Sequence, residues 1–143
     1  MDEDGAGESV HQAGVIPYRM VAGKLEILLI SAGGERWIVP KGHVEPFMTA
    51  SDSASQEAWE EAGIRGEVGF CSLGKWSYEK RGAKFDVDLF PFEVKDMLKD
   101  WPEEKRRKRR WLSFEKALKV VTEPALRQIL RLLPDVVQPA PGS

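Results

Sequence analysis

Residues 42–64 read GHVEPFMTASDSASQEAWEEAGI, and this stretch decides how the whole chain is read. Its second half is helical in pattern. Thr49 is placed to accept from the free N–H groups of a first turn, with Asp52 three residues on as an acidic partner. Ala50, Ala54, Ala58 and Ala62 recur every four residues and form a smooth face that can lie close on a sheet. Gly63 is suited to the position just past the last turn. The first half is different. Residues 41–48 hold Gly42 and Pro46 and show no period, so they are expected to form a loop.

Glu57, Glu60 and Glu61 are spaced i, i+3, i+4, which puts three carboxylates on one patch about 5–6 Å apart. They fall in the last two turns, where the helix dipole is itself negative. Like charges there are destabilising, and neither Ser53 nor Gln56 relieves them. A divalent cation would turn that cost into binding energy. Mg²⁺ takes oxygen ligands and is commonly shared with substrate phosphates, and Mn²⁺ takes similar ones. Lys41, Gly42 and His43 lie just upstream. Such a loop can bring backbone N–H groups and a lysine charge to a phosphate. The bland alternative for the glutamates is a solvated acidic face.

Outward from this stretch, residues 13–20 and 25–31 read as two strands joined at Ala22-Gly23-Lys24. Trp37-Ile38-Val39 is a short apolar strand stopped by Pro40. Residues 67–79 and 84–93 read as a strand pair, the second alternating Phe85, Val87, Leu89 with Asp86, Asp88, Phe90. A short helix is expected at 94–98 and a short strand at 110–112. Ser113 caps one later helix, and Pro124 opens a final one carrying Leu126, Ile129, Leu130, Leu132 and Leu133. Strands and helices interleave, which argues for an α+β class with a mixed sheet and helices on its faces. Residues 1–9 are acidic and Gly-rich and read as a disordered arm. The folded domain is expected over 10–133, with a loose Pro-rich tail at 134–143.

Composition bounds the rest. The 143 residues carry a formal net charge of −2, which neither demands nor excludes a polyanionic partner. The charge is segregated, with acid at 57–61 and six consecutive cations at 105–110. Cys71 is the single cysteine, so an intramolecular disulfide and a Cys-rich zinc site are excluded. A lone cysteine fits a cytoplasmic location. The sequence carries neither a signal-peptide pattern nor an apolar run long enough to span a membrane, so no membrane partner is expected.

The stretch resembles the Nudix hydrolase signature, G-x5-E-x7-R-E-U-x-E-E-x-G-U, with U a bulky aliphatic. Gly42, Glu57, Glu60, Glu61, Gly63 and Ile64 match it with the 23-residue spacing intact. Met48 stands where the pattern has Glu, Gln56 where it has Arg, and Ala58 where it has a bulkier aliphatic. Phe47 replaces the glycine that often follows Glu-Pro. The resemblance spans about residues 10–133 and implies an α/β/α sandwich with helices on both faces of a mixed sheet. It further implies Mg²⁺-dependent hydrolysis of a phosphoanhydride, with Glu57, Glu60 and Glu61 as catalytic and metal-holding residues.

Arg36-Trp37-Ile38-Val39-Pro40 and Arg107-Lys108-Arg109-Arg110-Trp111 look like the diphosphoinositol-polyphosphate phosphohydrolase branch. Gly42-His43-Val44-Glu45-Pro46 looks more like diadenosine-tetraphosphate hydrolases. Both imply a small-molecule polyphosphate substrate. Arg36, Lys41, Gly42, His43, Arg109 and Arg110 are the expected substrate contacts, the last two because Trp111 would anchor them. Loss of both motif charges, at Met48 and Gln56, is expected to weaken metal affinity or slow turnover. It leaves open a binding module that keeps the pocket without efficient catalysis. A nucleic-acid partner for the basic run ranks last, since it leaves the acidic helix unexplained.

Overall fold

The computed structural model describes residues 9–137. Strand β1 (Ser9–Val21) is the axis of the fold, and Ser9 to Tyr18 run parallel to Lys84 to Glu93 of β7 (Ala83–Met97). β2 (Lys24–Ser31) folds back antiparallel on the far end of β1. β4 (Lys41–His43) pairs antiparallel with Gln12 to Gly14 at the near end. β3 (Trp37–Ile38) and β8 (Arg109–Ser113) both pair with β2. β5 (Ile64–Val68) and β6 (Gly74–Lys80) pair with the two halves of β7. A parallel pair among antiparallel ones makes the sheet mixed, as expected. Helix α1 (Ala50–Ala62) packs on β1, β4, β5 and β7; α2 (Phe114–Val120) packs on β2 and β8; α3 (Pro124–Leu130) packs on β6. A last short helix, α4, spans Leu133–Val136. The architecture is the expected α/β/α sandwich.

The helix ends form for the anticipated reasons. Thr49 Oγ1 accepts from the Asp52 N–H at 3.1 Å, and Ser113 Oγ from the Lys116 N–H at 3.2 Å. Gly63 turns left-handed at φ 64° and donates to Ala58 O and Trp59 O. A side chain at Gly63 would also run into the Trp101 ring, so two constraints select glycine there. Ala54, Ala58 and Ala62 are fully buried, which lets α1 lie close on the sheet. Ile27, Leu28, Leu29 and Ile30 are all fully buried, so β2 is covered on both faces. Each such side chain stabilises the fold by about 1.5–3 kcal/mol.

Four local expectations are corrected. Residues 41–43 are not loop: they form β4, because pairing with β1 satisfies a backbone that has no side-chain period of its own. Residues 67–79 are two strands, broken by a turn in which Ser72 Oγ accepts from the Gly74 N–H at 3.0 Å. Residues 94–97 are strand, not helix; β7 runs on because β5 pairs with it as far as Ile64↔Met97. Of the expected loose tail, residues 134–136 belong to α4, and residues 138–143 lie outside the described residues. The expected arm lies outside the described residues up to position 8, and Ser9 already opens β1. Among the described residues no helix is long and apolar enough to cross a membrane.

Candidate active site

The C-terminal half of α1 faces β4, and that contact builds the site. Glu61 is buried at 7% exposure. One of its oxygens accepts the Lys41 N–H at 3.0 Å, and the other accepts Arg107 Nη2 at 3.1 Å. Burial nonetheless raises its pKa, against the lowering effects of those two donors. Glu60 is less enclosed and takes the Gln56 amide at 2.9 Å. Glu57 is half-buried, and among the described residues no hydrogen-bond donor reaches its carboxyl. Burial, then Glu61, Glu60, Glu103 and Glu45, push its pKa up to about 8. Gly42 lies against this carboxyl so closely that a Cβ would overlap it. The expected role for Gly42 is therefore recast: the position needs empty space more than flexibility.

This donor set suits a hard divalent cation. It is all oxygen, it holds excess negative charge, and Glu57 has no hydrogen-bond donor among the described residues. Among the described residues no ready-made cluster of three acidic, histidine or cysteine groups is found. Glu57, Glu60 and Glu61 are the residues that would hold such an ion.

A cleft of about 270 Å³ is lined by Arg36, Lys41, Trp76, Tyr78, Arg107 and Glu123 among others; none of the three glutamates lines it, and it meets the acidic patch through Lys41 and Arg107, which both bond Glu61. Lys41 Nζ sits 4.7 Å from the Tyr78 ring centre and 5.8 Å from that of Trp76. Its pKa is lowered, chiefly by burial, with Glu61 acting in opposition. Arg36 is held by Gly33 O at 3.0 Å and by Glu123 at 3.3 Å. Glu123 also accepts Trp76 Nε1 at 3.0 Å, and Tyr78 OH donates to the buried Gln12 at 2.9 Å. A second, more open groove of about 420 Å³ shares Arg36, Arg106 and Arg107 and adds Trp37, Lys105 and Lys108.

The structure brings Arg36, Lys41 and Gly42 to the site. His43 is exposed on β4 and makes no side-chain contact that points to a role. Arg109 is a correction. Its Nη1 donates to Ala62 O, Gly63 O and Leu98 O at 3.1, 3.4 and 3.0 Å, and its guanidinium lies 3.8 Å over Trp101. It caps the helix instead of facing the cleft. Arg110 is exposed, 5.7 Å from the centre of Trp37. Trp111 does not fix either one from below; it lies under Arg19 at 4.0 Å. The basic run is thus not one solvated row: Arg107 and Arg109 turn inward while Arg106, Lys108 and Arg110 are exposed. Sequence reading missed Arg107, Glu103, Gln12 and Glu123. The Glu103 to Arg107 spacing of four was the one local signal, and the two do pair at 3.1 Å.

Residues 10–133 match the family model described as the NUDIX domain. The chain belongs to the Nudix family. Nudix hydrolase 12, mitochondrial, of Arabidopsis thaliana is 32% identical, covering 86% of this chain and 73% of its own length. Diphosphoinositol polyphosphate phosphohydrolase 2 of Rattus norvegicus is 36% identical over 67% of this chain and 54% of its own. Among solved structures, a C. elegans Ap4A hydrolase binary complex superposes with a TM-score of 0.75 at 29% identity, covering 89% of this chain and 96% of that one. The chain is a Nudix hydrolase, and enzymes of this family generally use divalent metal ions.

Within the Nudix frame the two departures from the signature acquire surroundings. Gln56 gives Glu60 a neutral amide where an arginine would give a charge. Met48 sits in a turn, its N–H donating to Glu45 O at 3.2 Å. Phe47 adopts φ 68°, the left-handed backbone that glycine takes without strain, and its side chain is fully exposed.

Proposed function

We propose that this Nudix domain hydrolyses a phosphoanhydride bond in a polyphosphorylated small molecule, either a diphosphoinositol polyphosphate or a dinucleoside polyphosphate, with Mg²⁺ as the working cation. The observation that carries the reading is Glu57, with no hydrogen-bond donor among the described residues, in an acidic patch whose Glu61 is bonded by Lys41 and Arg107 from the wall of a cationic cleft. A bound divalent cation supplies Lewis acidity and an acidified water to such a site. The chain's own residues do the rest. Lys41 and Arg36 bind phosphate oxygens at one wall of the cleft. Arg is suited to bidentate contact with phosphate. Glu61 is fixed from two sides. Glu57, whose oxygens accept no hydrogen bond among the described residues, is the best placed of the three glutamates to take a proton. Trp37, which lines the second groove, offers a flat face for a base.

A catalytically weakened polyphosphate-binding module is the second reading. It is favoured by the neutral Gln56 beside Glu60. ³¹P NMR with Mg²⁺ decides between the two, using an inositol pyrophosphate, diadenosine tetra- to hexaphosphate and a nucleoside triphosphate. Cleavage of one class by the wild type, lost in Glu61→Gln, is expected. Calorimetric binding of the same compounds without cleavage would move the assignment to the binding module. We place the protein in the cytoplasm on the strength of its single free, exposed Cys71. The matched relatives include proteins named mitochondrial and chloroplastic, so fractionation of cells expressing the full chain is the test.

A further inference from the structure

The guanidinium of Arg107 joins three segments that are far apart in sequence. Nη1 donates to Ser31 O at 2.8 Å at the end of β2. Nε donates to Glu103 at 3.1 Å in the turn after β7, and Nη2 to Glu61 at 3.1 Å on α1. Its side chain is 16% exposed, against 74% for the neighbouring Arg106. The backbone around it is tied down as well. Arg107 N donates to Glu103 O at 2.9 Å, Lys108 N to Ser31 Oγ at 2.9 Å, and Ser31 N to Lys108 O at 3.0 Å. A cation serving mainly as a mobile phosphate contact would not be held this way, because reaching for substrate would forfeit several bonds at once.

Resting on the proposed hydrolase reading, we propose that Arg107 is a positioning residue that fixes the Glu61 carboxylate in place, supplying from a distant loop the cation that α1 lacks at Gln56. Gln56 cannot do this, since its amide is engaged with Glu60. The Lys41 N–H holds the other Glu61 oxygen, so the carboxylate is gripped from β4 on one side and from the basic loop on the other. The planar fork of arginine matters here. A lysine carries the charge but cannot present three donors in fixed directions to Ser31, Glu103 and Glu61.

The test uses Mn²⁺ binding by calorimetry, without substrate, and steady-state kinetics on the polyphosphate the wild type cleaves. A field effect and a positioning effect predict opposite signs. Removing a positive charge next to Glu61 should tighten Mn²⁺ binding if only the field matters. Loss of positioning should weaken it, by about 10–100-fold as for other residues that orient metal ligands. In Arg107→Ala the expected result is weaker Mn²⁺ binding and a kcat lowered by a similar factor, with KM changed by less than about threefold. In a Glu61→Gln background, Arg107→Ala should alter Mn²⁺ affinity by less than about twofold, because the carboxylate it positions is already gone.

Tighter Mn²⁺ binding in Arg107→Ala, a raised KM at unchanged kcat, or losses that multiply in the double variant would each overturn the proposal. If Arg107→Ala does not fold, Arg107→Lys is measured in its place. It should bind Mn²⁺ more weakly than the wild type, and wild-type affinity would overturn the proposal equally. A wild type that cleaves no polyphosphate, yet shows the same coupling in Mn²⁺ binding, would sink the functional reading and leave the positioning role standing.

Discussion

Glu57, Glu60 and Glu61 share a helix patch and have three different degrees of restraint. Two N–H donors grip Glu61, a neutral amide touches Glu60, and nothing among the described residues holds Glu57. The substitution at Gln56 acts on this gradient at its middle. Because Arg107 already serves Glu61, restoring an arginine at position 56 chiefly changes Glu60, where Gln56 now sits. Met48→Glu together with Gln56→Arg is therefore expected to raise turnover a few-fold without moving KM. Steady-state kinetics of that double variant checks it, and an unchanged kcat with unchanged metal affinity would mean that these two positions do not limit the enzyme. The shared helix patch of the glutamates and the helix ends at Thr49 and Gly63 were legible in the sequence because each is set within a turn or two, whereas the place of Gly42 against Glu57 depends on β4 pairing with β1. Arg107 was not legible either, because its partners Glu61 and Ser31 lie 46 and 76 residues away and only the folded sheet brings them together.

At the scale of elements, the acidic end of α1 poses a problem that the helix cannot solve by itself. Its last turn contains no basic residue, its dipole is negative there, and two glutamates sit on it. The solution comes from the segment around β8. Arg109 caps three carbonyls at the helix end and in the strand edge beside it, packed on Trp101, whose own Nε1 donates to Glu61 O at 3.1 Å. Arg109→Ala should cost about 1.5–3 kcal/mol, the range for hydrogen bonds to a charged group, read as a lower midpoint in urea. Substrate KM should stay within the wild-type range for the remaining folded protein. A KM raised tenfold or more, about 1.4 kcal/mol in binding, with normal stability would restore the substrate role that the sequence suggested. Period and composition explain both the success and the failures at this scale. The alanine repeat of α1 and the caps at Thr49 and Ser113 are local signals, and they identify helices. The continuation of β7 through Val94 to Met97 and the brief β4 have no local signal; pairing with β5 and β1 makes them strands. The inward turn of Arg109 opens the alternation of β8, while Arg107 is turned inward by the preceding turn, its N–H bonded back to Glu103 O; a run of like charges shows neither in the sequence.

For the whole molecule, the concentration of acid at α1 couples folding to pH and to metal. In the metal-free protein Glu57 has its pKa pushed up from 4.5 to about 8, and that of Glu61 is raised as well. An unfolded chain ionises both groups near the ordinary value. Between those pH values the folded state keeps protons that the unfolded state releases, so stability must fall as pH rises through the window. The stabilisation is fully present below about pH 4.5 and is lost by about pH 8. The half-exposed position of Glu57 screens the effect and reduces its size. A divalent cation reverses the sign, because it binds the ionised carboxylates of the folded state and stabilises that state by mass action. Thermal unfolding from about pH 5.5 to 8.5 in EDTA should therefore show a declining midpoint, and Mg²⁺ at saturation should flatten or invert the slope. Glu57→Gln, which has no proton to lose, should make the EDTA profile shallower, leaving the share of Glu61, and blunt the response to Mg²⁺. A wild-type profile in EDTA as level as that of Glu57→Gln would mean that the carboxyl is solvated in solution. The acidic helix would then be a charged surface, and the case for a metal site built on its burial would fail.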